Sequence, residues 1–183
     1  MSYICLGWGS LIWRPEDLPL VNKRPDAWRE DGPELPVEFL RQSNNGCLTL
    51  VIDRNSPQSR VLWNELSVDS LSAAIEALRQ REGNTRSSWI GRWPQGDEFE
   101  CADIVDRWAR PRGFSGVVWA AMPAKHDEKD GLRPTQNEAI AYLKALEGDQ
   151  FDLAEEYVRR APKQIDTPYR RAIVDELGWH SIQ

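Results

Sequence analysis

Short apolar runs punctuated by prolines and glycines fill the first two-thirds of the chain, and longer stretches with helical spacing fill the last third. Tyr3 to Leu6 reads as a short buried strand that runs into Gly7-Trp8-Gly9-Ser10-Leu11, a turn whose glycines permit close approach. Pro15, Pro19, Pro25, Pro33 and Pro36 predict mostly loop and edge structure up to residue 36. Leu35–Leu40, Cys47–Ile52 and Val61–Leu66 predict three strands of a meander. Asn44-Asn45-Gly46 turns between the first two, and residues 53–59 connect the second pair.

Ser67 to Glu82 carries the clearest helical pattern of the first half. Leu71, Ala74, Ile75 and Leu78 fall on one stripe, Ser67 or Asp69 suits the start, and Gly83 suits the end. Arg86 to Glu100, with Trp89 and Trp93, is polar and predicts a surface loop, while residues 101–110 fit either a strand or a helix. Gly116 to Met122 reads as another buried strand. Beyond it, Thr135-x-x-Glu138 is a capping box, followed by Ile140, Leu143 and Leu146 and then Gly148. Phe151 to Arg160 makes a second helical pattern. Pro168 to Leu177 makes a third, with Thr167 as cap, Pro168 at the first helical position and Gly178 past the end. The order of elements predicts an α+β fold with a mixed or barrel-like sheet. It is read as one domain over 1–183, with a barrel-like core over 1–122 and a helical C-terminal extension over 123–183.

Composition changes this picture mainly by exclusion. With 23 basic and 29 acidic residues the formal charge is −6, which argues against nucleic acid or an anionic membrane as the main partner. No apolar run approaches the roughly 20 residues a membrane helix needs. Met1 to Leu6 has no basic leader, so the expected address is the cytoplasm. Cys5, Cys47 and Cys101 are odd in number and widely spaced, as reduced thiols are. The only histidines are His126, in a charged loop, and His180, and neither is expected to be catalytic. No pair has zinc-ligand spacing, so a structural zinc site is not expected, while composition leaves a carboxylate-only metal site open. Arg107, Arg110 and Arg112 alternate with Trp108, a pattern that suits stacked single-stranded nucleic acid or, more simply, a solvated face with arginine stems packed on indoles.

Two features carry candidate chemistry. Gly7-x-Gly9 lacks the third glycine of a dinucleotide fingerprint, and Ser10 lacks the outer glycines of a nucleophile elbow. What remains at Gly9-Ser10-Leu11 is a turn whose successive N–H groups can hold a carboxylate or a developing oxyanion, or simply pack Leu11, Ile12 and Trp13 into the core. The second feature is Glu82. One turn after Leu78, it continues the apolar stripe and should point inward, at the negatively polarised end of its helix. Both circumstances disfavour the charged form and strengthen it as a base. The competing reading turns Glu82 outward to pair with Arg79 or Arg86.

Leu6-Gly7-Trp8-Gly9-Ser10-Leu11-Ile12-Trp13-Arg14-Pro15 resembles the opening of the gamma-glutamylcyclotransferase superfamily, especially its ChaC-like branch. The likeness continues at Arg81-Glu82-Gly83, where that family carries its essential glutamate, and spans about residues 3–122. The resemblance implies a gamma-glutamylcyclotransferase-like fold and an enzyme that cyclises a γ-glutamyl group to 5-oxoproline, releasing an amine without metal or cofactor. It implies Glu82 as the acid/base and Trp8, Gly9, Ser10 and Leu11 as the substrate-binding loop. Trp8 stands where the family has tyrosine, residues 84–93 depart from its pattern, and Asn45-Gly46 replaces its proline-glycine turn. Those departures leave the leaving group open, with glutathione one of several γ-glutamyl peptides or amines. They also leave room for a non-catalytic protein on the same fold that binds a small acidic or amide ligand.

Overall fold

A computed structural model describes residues 1–95 and 98–182. The fold is α+β, with two mixed sheets, one curled half-barrel, and five α-helices among the described residues. In chain order the elements are β1 (Tyr3–Gly7), β2 (Glu34–Gln42), β3 (Leu48–Ile52), β4 (Gln58–Arg60), β5 (Leu62–Leu66), α1 (Leu71–Arg81), β6 (Ile90–Trp93) and α2 (Ala102–Ala109). Then come β7 (Gly116–Ala120), β8 (Lys125–His126), β9 (Lys129–Asp130), α3 (Gln136–Lys144), α4 (Gly148–Arg160) and α5 (Pro168–Leu177). The chain divides into two compact units, residues 1–35 with 60–122 and residues 36–59 with 123–183. The hairpin of 36–59 therefore groups with the C-terminal residues rather than with its sequence neighbours.

The first unit is built on a four-stranded sheet ordered β5-β1-β7-β6. β1 runs antiparallel to β5 and parallel to β7, with Tyr3 opposite Gly116, and β6 lies antiparallel to β7. All five residues of β1 are buried, which accounts for its continuous apolar run. α1 packs on β1, β7 and β6. Ala74 and Leu78 of its stripe are buried, with Leu71 and Ile75 packed at the edge of a core that includes Cys5, Leu11, Ile12, Leu18, Trp28 and Val118. Gly7 ends β1 against Trp28, whose ring carbon would lie 2.5 Å from an added Cβ. No larger residue fits there.

The second unit holds the sheet β3-β2-β8-β9, with β4 paired on β2. β2 and β3 form an antiparallel hairpin, and β2 runs parallel to β8 with Arg41 opposite Lys125. α4 packs on β3, and α3 packs on α5.

Several expectations are corrected. The third meander strand does not follow β3. It pairs with β1, because its five residues sit on the first unit's sheet. Residues 86–100 contain a strand, β6, whose backbone pairs from Ile90 opposite Ala120 to Trp93 opposite Val117. Residues 96–97 of that stretch lie outside the described residues. Within residues 101–110, Ala102–Ala109 are helical, and the charged loop around His126 is a hairpin turned by Asp127 and Glu128 at φ 46° and 60°. α1 starts at Leu71 rather than Ser67, since the cap is Ser70, whose hydroxyl accepts from the Ala73 N–H at 3.2 Å. Gly148 opens α4 instead of closing the helix before it. The capping box at Thr135 and the Thr167–Gly178 frame of α5 stand as expected. All three cysteines are buried thiols outside any disulfide among the described residues.

Candidate functional site

β1 delivers the chain out of the sheet at Gly7, and residues 9–14 then close into a helical turn. The Ile12 N–H donates to the Gly9 carbonyl at 3.1 Å and the Arg14 N–H to the Ser10 carbonyl at 2.7 Å. Those bonds use the carbonyls at the turn's start, so the leading N–H groups sit at its positively polarised end. Trp8, Leu11 and Ile12 are buried, while Ser10 is half-buried. The packing reading of this turn is what is seen, with Leu11 and Ile12 in the first unit's core and Trp13 packed against it.

The other half of the site is the C-terminal end of α1. Glu82 is the helix cap, with its N–H on the Leu78 carbonyl at 2.9 Å, and Gly83 follows at φ 73°. Its side chain is 11% exposed, so it turns inward, and neither Arg79 nor Arg86 is its partner. Arg79 pairs with Glu76 at 2.8 Å and Arg86 stacks over Trp89. Glu82 is held instead by Arg81, whose Nη1 donates to Oε1 at 2.8 Å. That cation supplies a counter-charge which the spacing argument for Glu82 did not include.

Arg81 is the residue sequence reasoning missed. Its side chain is 10% exposed. Its Nη2 donates to the Ser10 Oγ at 3.0 Å and to the Arg14 carbonyl at 2.8 Å, while its Nε is buried without a hydrogen-bond partner. The guanidinium therefore joins the serine turn to the glutamate at the end of α1, two segments 71 residues apart. The signal was present, because Arg81 follows the buried Leu78 by three and the buried Ala74 by seven, the spacing of the inward face.

Beneath the pair, the Cys5 thiol of β1 is fully buried, and burial first, then the Glu82 carboxylate, push it up to about 12, with Arg81 acting in the opposite sense. Such a thiol stays protonated and serves as a small apolar residue. Together the site offers an inward carboxylate, a fixed guanidinium, one hydroxyl and the donor end of a turn. That set suits proton transfer on a small polar ligand.

The arginine–tryptophan segment lies elsewhere in the same unit. Trp108 is 8% exposed, too covered to stack a base, and Arg112 lies over its ring at 4.9 Å. Arg107 of α2 and Arg110 just beyond it pair with Asp103 and Asp106 of α2 at 3.0 and 2.5 Å. A shallow groove of about 290 Å³ runs past Trp108, Glu34, Arg60, Arg107 and Arg112. His126, in the second unit, bonds Gln42 through Nδ1 at 3.1 Å. No group of three or more histidine, cysteine or acidic side chains suited to a metal occurs among the described residues. None of their helices is long and apolar enough to cross a membrane.

The fold and site together define an α+β protein with a carboxylate–guanidinium–hydroxyl cluster at the end of its first strand. No protein-family model, curated protein or solved structure matches the chain.

Proposed function

We propose that the chain is a gamma-glutamylcyclotransferase-type enzyme, on a gamma-glutamylcyclotransferase-like fold, that converts a γ-glutamyl peptide or amine to 5-oxoproline and the free amine. The substrate's own α-nitrogen attacks its γ-carbonyl carbon, a new C–N bond closes the ring, and the bond to the leaving amine breaks. Glu82 takes one proton from the α-ammonium and returns one to the departing nitrogen; the second proton, which the ring nitrogen loses as the lactam forms, leaves with the amine as its ammonium, so charge and protons balance without a cofactor. The turn at Gly9, Ser10 and Leu11 receives the glutamyl group, and holding amine and carbonyl together supplies the proximity part of the rate. The observation that carries the reading is the Arg81 bridge, which unites the Ser10 hydroxyl and the Glu82 carboxylate in one site.

The test is 5-oxoproline release from a panel of γ-glutamyl peptides and amines, wild type beside Glu82→Gln. Wild type releases 5-oxoproline, and Glu82→Gln keeps its circular dichroism and loses at least about 100-fold in turnover, the scale of a missing acid/base. Equal turnover in the two would remove Glu82 from the chemistry. A second reading, a non-catalytic protein that binds a small acidic or amide ligand, is favoured by two observations. Glu82 already has a cation for a partner, and Trp8 is buried and carries no hydroxyl to offer a ligand. Ligand binding without 5-oxoproline release from any member of the panel would select it. In either case the expected setting is cytoplasmic, with a small molecule as the partner.

A further inference from the structure

We infer that Arg81 is the positioning residue of this site, fixing the Glu82 carboxylate relative to the Ser10 turn; the inference rests on the function proposed above. An arginine in the last turn of a helix ordinarily lies in solvent, where it complements the helix dipole. Arg79, two residues earlier, is 27% exposed and pairs with the exposed Glu76. Arg81 is instead nine-tenths buried, at the cost of desolvating its charge. Three directed bonds offset that cost, and they go to the two segments that make the site.

The guanidinium is planar, and its two terminal nitrogens are rigidly spaced. One of them, Nη2, holds both the hydroxyl of Ser10 and the carbonyl of Arg14, at 3.0 and 2.8 Å, while Nη1 holds Oε1 of Glu82 at 2.8 Å. The separation of hydroxyl and carboxylate is thereby set by a covalent plate rather than by the flexible side chains themselves. The Nε, buried and unpaired, marks the same point. The group is oriented by what its Nη atoms reach and not by satisfaction of all its donors. Lysine has one nitrogen on a flexible stem, so it keeps the charge but cannot span both partners with fixed geometry.

The test compares wild type with Arg81→Met, Arg81→Lys, Ser10→Ala, the double variant Ser10→Ala/Arg81→Met, and Arg79→Met as control, each checked for retained fold by circular dichroism. Arg81→Met lowers kcat about 100-fold, the scale of a misplaced catalytic group. Arg81→Lys recovers part of the loss, and Arg79→Met turns over like wild type. In the double variant, Ser10→Ala costs little once Arg81 is gone, because the two act through one contact. Wild-type turnover in Arg81→Met, full recovery in Arg81→Lys, or independent costs of Ser10→Ala and Arg81→Met would each overturn the inference and leave the proposed reaction standing.

If wild type releases no 5-oxoproline, the reaction itself fails, and amide exchange of Ile12 and Arg14 decides about Arg81. Exchange at those two amides speeds up at least about tenfold in Arg81→Met and not in Arg79→Met where the guanidinium pins the turn. Unchanged exchange overturns the inference by a route that does not depend on activity.

Discussion

Glu38 shows how far a single residue's setting outweighs its type. It is 1% exposed, on β2, and accepts the Phe39 N–H at 2.8 Å, the Tyr169 N–H at 3.3 Å and the Thr167 hydroxyl. Burial raises its carboxyl above the ordinary 4.5 in spite of those donors and the charge of Arg133. A raised acid binds its proton more tightly in the folded chain than in the unfolded one. Its contribution to stability is therefore complete below about pH 4.5 and is lost as pH rises through the raised value. Glu38→Gln, which has no proton to lose, should consequently close part of its stability gap to wild type as pH rises. Urea unfolding of both proteins at pH 5 and pH 7.5 measures this, and a gap independent of pH would exclude it. At this scale the sequence was legible where spacing spoke. The stripe of α1 singled out Glu82, while Arg81 on the same face was passed over because arginine in a last turn is so ordinary. Nothing local marks Glu38 as buried, since two of its three donors lie 129 and 131 residues away.

Among elements, what was legible is what is specified locally. The capping box at Thr135 and the Thr167-Pro168…Gly178 frame of α5 are encoded within a few residues of each helix end, and both formed as read. β6 was missed because its four residues include a glycine and an arginine, and a strand so short is made by its partner β7 rather than by its own pattern. β4, β8 and β9, of three, two and two residues, are products of pairing in the same way. The end of α4 depends on a tertiary device too. Arg170 of α5 is 5% exposed and donates to the carbonyls of Val158, Ala161, Pro162 and Ile165 at 3.1, 2.7, 2.7 and 2.9 Å. These include carbonyls at the C-terminus of α4, which carry the negative end of its dipole and lack intrahelical donors. Arg170→Ala strands several buried acceptors and should cost about 3 kcal/mol or more. Arg170→Lys should rescue little of it, because one ammonium cannot meet four carbonyls. Denaturant unfolding of the three proteins reads the difference, and a loss near zero would mean the carbonyls find water instead.

Over the whole chain, the α+β class could be read from the order of apolar runs, but the partition could not. It follows from pairings such as β2 with β8, where Arg41 meets Lys125, and no periodicity records which distant strand is a neighbour. Electrostatics is likewise a property of the ensemble. Glu76, Asp106, Asp166 and Glu176 are drawn below their ordinary values first by bonds from Arg79, Arg110, Arg171 and Lys144, and Glu138 by the N–H and hydroxyl of Thr135. A lowered acid contributes stability above its unfolded value, and the contribution is lost as pH falls through the folded one. For Glu76 that interval runs from 4.5 down to about 2. Glu38 acts in the opposite direction, so acid removes the surface contributions while restoring the buried one. Glu76, Asp166 and Glu176 are exposed and Asp106 is half-buried, and each surface pair contributes little in water. Their sum is also screened, because the Debye length falls to about 3 Å at 1 M salt. The midpoint of thermal unfolding should therefore fall between about pH 4.5 and pH 2, and fall less in about 1 M sodium chloride than at low salt. The capping box at Glu138 is a set of short hydrogen bonds, so its share of the acid loss should persist in salt. Calorimetric scans across that pH interval at both salt concentrations separate the two contributions. An acid loss of the same size in both would assign it to the caps and leave the ion pairs without a measurable share.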